Sequence, residues 1–294
     1  LNKCNNKKIF LKKISEIKKF NPQLSIICTP STMRIEIIKH LIEIKSHLLI
    51  EKPLTSNYDE AKKVLGFAKK KSLVIKVGYN LRFLNSLKTL NNFIKSKKLG
   101  KIYFVDIFAG QNLKSWRKNS NYKNTVSAKK NLGGGVLLEL SHEIDYANWI
   151  FGDFSKIFCK AFKASNLKIN VEDTAKILLF SKNKCIVNIN LDFCRSDKIR
   201  KCYIAGENGS LIWDGLKNKL FFFNQSKKKW INIYFKKNNF NNTYSLQLKE
   251  MIRLCNSNKK FKVNLASLDS SSKVVKLIDC ARLSSRYSRA VDIK

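Results

Sequence analysis

The sequence predicts an α/β protein: an N-terminally incomplete parallel sheet of the doubly wound type, followed by an α+β unit with a large, mostly antiparallel open sheet. Two observations support this prediction. Apolar runs alternate with amphipathic helical segments up to residue 83, whereas strand-like runs follow one another across short turns after about residue 100. Alternation is typical of parallel sheets, and consecutive strands favour antiparallel pairing.

Three apolar runs form the parallel part, LSIICTP (24–30), HLLIEKPL (47–54) and LVIKVGY (73–79). Each is apolar on both faces, as expected for strands that helices cover on both sides. Helical spacing predicts one helix over 33–44 and a second that begins after a cap formed by Ser56 and Asp59.

The later strands are predicted at KIYFVDIFAG, AKILLF, CIVNINLDF, KCYIAG and KLFFFN. A polar loop at 111–132 and a helix over 137–150 separate the first two, and helical segments at 245–255 and 271–287 close the chain. The change in pattern predicts two domains, residues 1–84 and 85–294.

Composition excludes some classes of function. The formal charge is +37, but only nine of the 58 basic residues are arginine and the lysines are spread over most elements. Specific nucleic-acid surfaces cluster their charge, so we expect only weak, salt-sensitive binding of polyanions. No run reaches the ~18–20 apolar residues of a membrane span, and the polar, basic residues 1–13 lead us to expect no signal peptide. Eight cysteines without a C-x-x-C pair, several inside strands, favour a reducing compartment, the cytoplasm.

The segment GGGVLLELSHEIDY holds His142, which has Glu139 and Asp145 three residues away on either side. At helical spacing the opposite side carries the apolar stripe Leu140, Ile144, Ala147 and Phe151. A carboxylate neighbour orients an imidazole that acts as a base, but a solvated charged face has the same spacing. The spacing leaves both interpretations open.

A metal site is not expected here. HEIDY differs from the zinc motif H-E-x-x-H because Tyr146 stands at the second ligand position, and only His40 and His47 remain elsewhere. The three glycines at 133–135 lack dinucleotide-fingerprint spacing, although they permit close backbone approach.

Two strand ends carry further polar residues. Glu51, Lys52 and Pro53 lie at the carboxyl end of the second strand, the edge where open α/β sheets bind ligands. Asn80 and Arg82 follow the third strand, where they face either an interdomain cleft or solvent.

Four motifs in this order, CTPSTMRIEI, EKPLT, VGYNLRF and GGGVLLELSHEIDYANWIFG, resemble the Gfo/Idh/MocA family of NAD(P)-dependent oxidoreductases. The resemblance covers nearly the whole chain. It implies an N-terminally incomplete Rossmann-type sheet followed by a substrate and oligomerisation domain. It also implies hydride transfer between NAD or NADP and a secondary alcohol of a sugar, cyclitol or nucleotide sugar. A homo-oligomer, dimer or tetramer, would form through the C-terminal sheet.

The resemblance also assigns residues. Lys52 and His142 would act in proton transfer, with Asp145 in support. The cofactor would contact Thr29, Pro30, Glu51, Lys52, Pro53 and Asn80. The substrate would contact Arg82, Trp116, Arg117, Tyr122, Glu139 and His142.

The chain departs from the family pattern in three places. Glu139 lies three residues before His142, where many members have Asp four before it, and Arg34 replaces a histidine often found after the TP motif. The sequence contains no initial strand with a G-x-G-x-x-G turn. We therefore expect a piece of a longer product that binds NAD(H) poorly as it stands. The alternative is a non-catalytic relative that binds sugar or a protein partner.

Overall fold

The structure, a computed structural model, describes residues 9–69, 72–117, 120–182, 184–236, 240–257 and 261–293. Within them the strands are β1 (Leu24–Ile27), β2 (His47–Glu51), β3 (Ile75–Gly78), β4 (Ile102–Gly110), β5 (Phe154–Phe162), β6 (Thr174–Ser181), β7 (Ile186–Asp192), β8 (Ile199–Gly206), β9 (Gly209–Asp214), β10 (Lys219–Asn224), β11 (Lys229–Phe235), β12 (Ala266–Ser267) and β13 (Val291–Asp292). The α-helices are α1 (Arg34–Glu43), α2 (Tyr58–Ala68), α3 (Asn85–Lys95), α4 (Leu113–Trp116), α5 (Val136–Glu139), α6 (Ser141–Phe151), α7 (Asn241–Asn256) and α8 (Leu268–Tyr287). Short 3-10 helices occupy Ile14–Phe20, Ser31–Met33, Asn80–Phe83, Tyr122–Asn124, Val126–Ala128 and Lys130–Leu132.

The first sheet has the order β1-β2-β3-β12, with β1, β2 and β3 parallel. This confirms the parallel sheet that the apolar runs predict. Its fourth strand, β12, pairs antiparallel with β3 and comes from residues 266–267. The predicted division of the chain at residue 84 stays a prediction, and β12 returns across it.

The second sheet has the order β11-β10-β9-β8-β4-β7-β6-β5-β13 and is antiparallel except where β4 pairs with β7. Helices α6 and α8 pack against this sheet and against each other. Along β4, Val105 and Ile107 are fully buried, whereas Phe104, the residue before Val105, is 43% exposed. This alternation is that of a sheet with one covered and one open face.

Most predicted elements agree with the structure, and the differences have local causes. α2 begins one residue later than the predicted cap, because the Asn57 side chain accepts from the Glu60 backbone at 3.0 Å. Ser56 instead donates to the Glu60 carboxylate. The prediction omitted α3, α4, β5, β9, β11, β12 and β13. In α3 and β5, lysines or asparagines obscure the apolar period that the element buries, whereas α4, β12 and β13 are only two to four residues long.

No helix in the described ranges combines the length and the apolarity that crossing a membrane requires.

Candidate active site

The EKP turn is fixed by a buried arginine. β2 ends at Glu51, and the peptide bond between Lys52 and Pro53 is cis. Arg34, 4% exposed, donates to the carbonyls of Glu51 and Pro53. It also donates to the Thr29 carbonyl at 2.9 Å from Nε and 2.6 Å from Nη2. A buried guanidinium requires acceptors, and here they are the ends of β1 and β2. The sequence marked Arg34 only as a departure from a pattern.

Lys52 reaches from the first sheet to the helical segment that carries His142. Its Nζ donates to the backbone carbonyl of Glu139 at 2.8 Å and lies 4.0 Å from the carboxylate Oε1 of the same residue. The other carboxylate oxygen accepts from the Ser127 hydroxyl at 2.7 Å. Glu139 thus contacts both the Lys52 amine and the Ser127 hydroxyl, and its predicted contact with the substrate stays a prediction.

A break in the predicted 137–150 helix makes this contact possible. α5 ends at Glu139, Leu140 has φ −97° and ψ 30°, and α6 begins at Ser141. The Glu143 amide donates to the Leu140 carbonyl rather than to that of Glu139. The Glu139 carbonyl is therefore free of the helical ladder and accepts from Lys52 instead.

The turn before α5 depends on glycine. Gly133 and Gly135 have φ of 81° and 99°, a region that other residues rarely adopt. A β-carbon at Gly134 would stand 2.4 Å from the Val126 carbonyl, and one at Gly133 would stand 2.1 Å from the Ser31 hydroxyl. The glycines thus bring α5 down onto the turn that follows β1.

His142 is partly buried and lies edge-on to Tyr79, with ring centroids 5.7 Å apart. Its Nδ1 is buried without a hydrogen-bond partner in the described part of the chain. Burial, and then the charges of Lys52 and Arg200, lower the pKa of His142 well below its ordinary value. The imidazole is therefore neutral at pH 7 and able to accept a proton.

The carboxylates around His142 are not solvated, so the interpretation of a solvated charged face is wrong. Asp145 is 2% exposed and accepts from Arg82 through both oxygens, at 2.8 and 2.6 Å. Glu143 is fully buried and accepts from Arg200 Nε at 2.8 Å. Burial raises the pKa of both carboxyls, against the opposing effect of the arginines.

The structure gives two of the predicted site residues partners within the chain, and their site roles stay predictions. Asp145 accepts from Arg82 through both oxygens. Arg82 also donates to the Ser270 hydroxyl at 2.8 Å and is 4% exposed. Arg82 and Asp145 are 63 residues apart in the sequence. The local sequence around each of them does not show that they form a buried ion pair and are not two exposed charges.

Two family models match the chain. Residues 4–79 match the model of the oxidoreductase family with an NAD-binding Rossmann fold, and residues 87–212 match the GFO/IDH/MocA C-terminal domain. The chain belongs to the Gfo/Idh/MocA oxidoreductase family.

Relatives of this family member include an uncharacterised oxidoreductase of Schizosaccharomyces pombe, 29% identical over 59% of the chain and 46% of the relative. Glucose-6-phosphate 3-dehydrogenase of Bacillus subtilis is 27% identical over 58% of the chain and 50% of the relative. The chain spans about half the length of the curated relatives it matches. Levoglucosan dehydrogenase with NADH and levoglucosan has the same fold, with a TM-score of 0.85, 17% identity, and coverage of 97% of this chain and 83% of that one.

Part of a nicotinamide cofactor fits the residues at the end of β1 in this family member. The hydroxyls of Thr29 and Ser31 are buried and have no partner in the described residues. Pro30 precedes the 3-10 turn that carries Ser31. Buried hydroxyls without partners, beside a glycine turn at the carboxyl end of a parallel strand, suit a polar ligand at this edge.

Two other predicted cofactor residues, Glu51 and Asn80, form hydrogen bonds within the chain. Glu51 accepts from the Lys52 backbone at 3.2 Å, and burial raises the pKa of its carboxyl. Asn80 is 5% exposed and donates to the Thr243 hydroxyl at 2.9 Å, so its amide nitrogen is committed to α7. A cofactor contact of Asn80 stays a prediction.

The residues Trp116, Arg117 and Tyr122 share one small cavity, and Trp116 also lines a second. All three line one of about 10 Å³, which has room for about one water molecule. Trp116 also lines a cavity of about 90 Å³ beside Leu140 and Arg200. The Tyr122 hydroxyl accepts from the Lys168 backbone at 3.2 Å. Substrate contacts of Arg117 and Tyr122 stay predictions.

The described residues contain no group of three or more histidine, cysteine or carboxylate side chains placed to hold a metal ion.

Proposed function

We propose that this chain is an NAD(P)-dependent oxidoreductase that transfers hydride between nicotinamide and a secondary alcohol of a sugar, a cyclitol or a nucleotide sugar. The main support is the position of the Lys52 amine on the helix break next to His142. Two matched relatives bear the names of sugar dehydrogenases, which favours a carbohydrate substrate.

Oxidation of a secondary alcohol removes a hydride from carbon and a proton from oxygen. Nicotinamide, when bound, supplies the hydride acceptor. His142 is neutral at pH 7 and accepts the hydroxyl proton on a ring nitrogen. Lys52 orients the hydroxyl oxygen by donating a hydrogen bond, while Glu139 holds the amine. Thr29, Ser31 and Glu51 would hold the nicotinamide half of the cofactor.

The affinity of the chain for the cofactor is a separate question from the roles of Lys52 and His142. The sequence contains no G-x-G-x-x-G turn, and in Rossmann proteins that turn binds the pyrophosphate. We expect weak binding of NADH by residues 1–294. Micromolar binding in calorimetry would show that this expectation is wrong without bearing on Lys52 and His142.

The test is a turnover assay with a panel of sugars, cyclitols and nucleotide sugars at high NAD⁺ or NADP⁺ concentration, followed by the absorbance of the reduced cofactor. His142→Asn and Lys52→Met should each lower turnover at least about 100-fold, the scale of positioned acid–base catalysis. Matched controls are His40→Asn on α1 and Lys176→Gln on β6, which should leave turnover unchanged.

Retained turnover in both His142→Asn and Lys52→Met, with correctly folded protein, would reject the proposed roles. Binding of NADH together with no turnover of any alcohol in the panel would favour the non-catalytic alternative.

Two further observations support proposals on the location and the self-association of the protein. The described cysteines are free thiols, which supports a cytoplasmic location. The open face of the second sheet exposes Phe104 and Ile186, which supports a homo-oligomer, dimer or tetramer, formed through that face.

A further inference from the structure

A cavity of about 90 Å³ adjoins Leu140, the helix break two residues before His142. Leu140, the residue at the break, forms part of its wall. The cavity is large enough for a group of several non-hydrogen atoms. Its polar lining comes from Gln111, Asp192, Lys198 and Arg200.

Arg200 is fixed in this wall. Its Nε donates at 2.8 Å to Glu143, which is fully buried, while the arginine side chain keeps 20% exposure. Within the described residues its two terminal nitrogens have no hydrogen-bond partner. A guanidinium held through Nε presents its remaining donors in a fixed plane, the geometry that binds carboxylate or phosphate.

The charges of the lining leave a positive excess. Glu143 balances Arg200, and Asp192 is balanced by Arg195, whose Nε lies 2.9 Å from the carboxylate. Lys198 is exposed and forms no ion pair in the described part of the chain. A small cavity with an unbalanced cation and free guanidinium donors is suited to an anion.

One wall is aromatic. Trp116 lies edge-on to the buried Phe193, with centroids 5.3 Å apart, and both line the cavity. An apolar wall beside cationic donors excludes water from part of the site and strengthens their attraction for a charged group.

We propose that the substrate carries an anionic group, a phosphate or a carboxylate, that binds Arg200 and Lys198 in this cavity. The inference rests on the proposed function, because it takes the alcohol that reacts at His142 as the other end of the same molecule. The substrate class is thereby narrowed to anionic sugars: sugar phosphates and sugar acids.

The test is equilibrium binding without cofactor, by calorimetry, of glucose 6-phosphate, glucuronate and glucose to the whole chain. The salt concentration is held at about 0.15 M to screen the general charge of the surface. At least one of the two anionic sugars should bind about tenfold or more tightly than glucose, and the better of the two identifies phosphate or carboxylate as the preferred group.

Lys198→Gln, at an exposed position, should reduce this preference severalfold. Arg200→Lys should reduce it further, because the charge stays while the planar donor pair is lost. Lys176→Gln is the matched control and should leave the preference unchanged. Circular dichroism of each variant checks the fold, and Lys198→Gln keeps the test valid if Arg200→Lys does not fold.

Equal binding of the three sugars, or an unchanged preference in folded Lys198→Gln, would overturn the inference. Both results are read without nicotinamide, so they are distinguishable from a failure of the proposed function. Preferential binding of an anionic sugar, together with NADH binding and no hydride transfer, would keep the anion site at Arg200 and Lys198 and reject the oxidoreductase.

Discussion

At the residue scale, the clearest consequence concerns the protonation of His142. Burial and two nearby cations lower its pKa in the folded protein, so below its ordinary pKa of about 6.5 the unfolded chain binds a proton that the folded chain does not. The free energy of unfolding therefore falls as the pH decreases through this range. A single group contributes at most about 1.4 kcal/mol per pH unit.

We expect His142→Asn to remove this contribution. Urea unfolding of the wild type and the variant from about pH 8 to about pH 5 measures it. The difference in unfolding free energy should change steadily below about pH 6.5 and be constant above it. Parallel curves over the whole range would contradict the lowered pKa. The comparison isolates His142, because buried carboxyls such as Glu51 and Asp145 are common to both proteins.

At the element scale, Arg34 connects the ends of two parallel strands. Its guanidinium donates to carbonyls at Thr29, Glu51 and Pro53. Arg34→Met leaves these acceptors without a donor, and we expect the free energy of unfolding to fall by about 3 kcal/mol. Chemical denaturation with an unchanged slope measures this loss.

A matched control for Arg34 is Arg253→Met. Arg253 lies on the exposed side of α7, with its guanidinium carbon 4.0 Å from the centroid of Phe261. Its loss should cost no more than about 1 kcal/mol. Similar losses in the two variants would show that Arg34 does not hold the strand ends.

Also at this scale, the sequence predicted the helix around His142 correctly in its buried stripe. Leu140, Ile144, Ala147 and Phe151 are all buried. It did not predict the interruption at Leu140, because a break in backbone hydrogen bonds leaves the side-chain period almost unchanged over one turn. A glycine turn before the helix and an amine from another element determine that interruption.

At the scale of the whole molecule, the open face of the second sheet predicts self-association. Phe104 and Ile186 are paired in register on β4 and β7, and their side chains are 43% and 42% exposed. We expect a mass in solution that is a multiple of 34.0 kDa, measured by light scattering. Phe104→Lys should shift the mass towards that of the monomer, because a lysine does not desolvate readily in an apolar interface.

The control for association is Ile26→Lys, an equally apolar position on β1 of the first sheet that is 52% exposed. This variant should keep the mass of the wild type. A monomeric wild type, or an equal effect of the two substitutions, would argue against an interface on the second sheet.

The sequence by itself determined the two kinds of sheet, the strand ends that carry Lys52 and Glu51, and the position of His142 opposite an apolar stripe. These features depend on local periodicity and on the order of motifs along the chain, and both can be read directly from the sequence. Only the tertiary structure decided the partners of the charges. Asp145 pairs with Arg82, Glu143 pairs with Arg200, and Lys52 reaches Glu139. A charged side chain has the same local pattern whether it is solvated or buried, and only a partner from a distant segment makes its burial favourable.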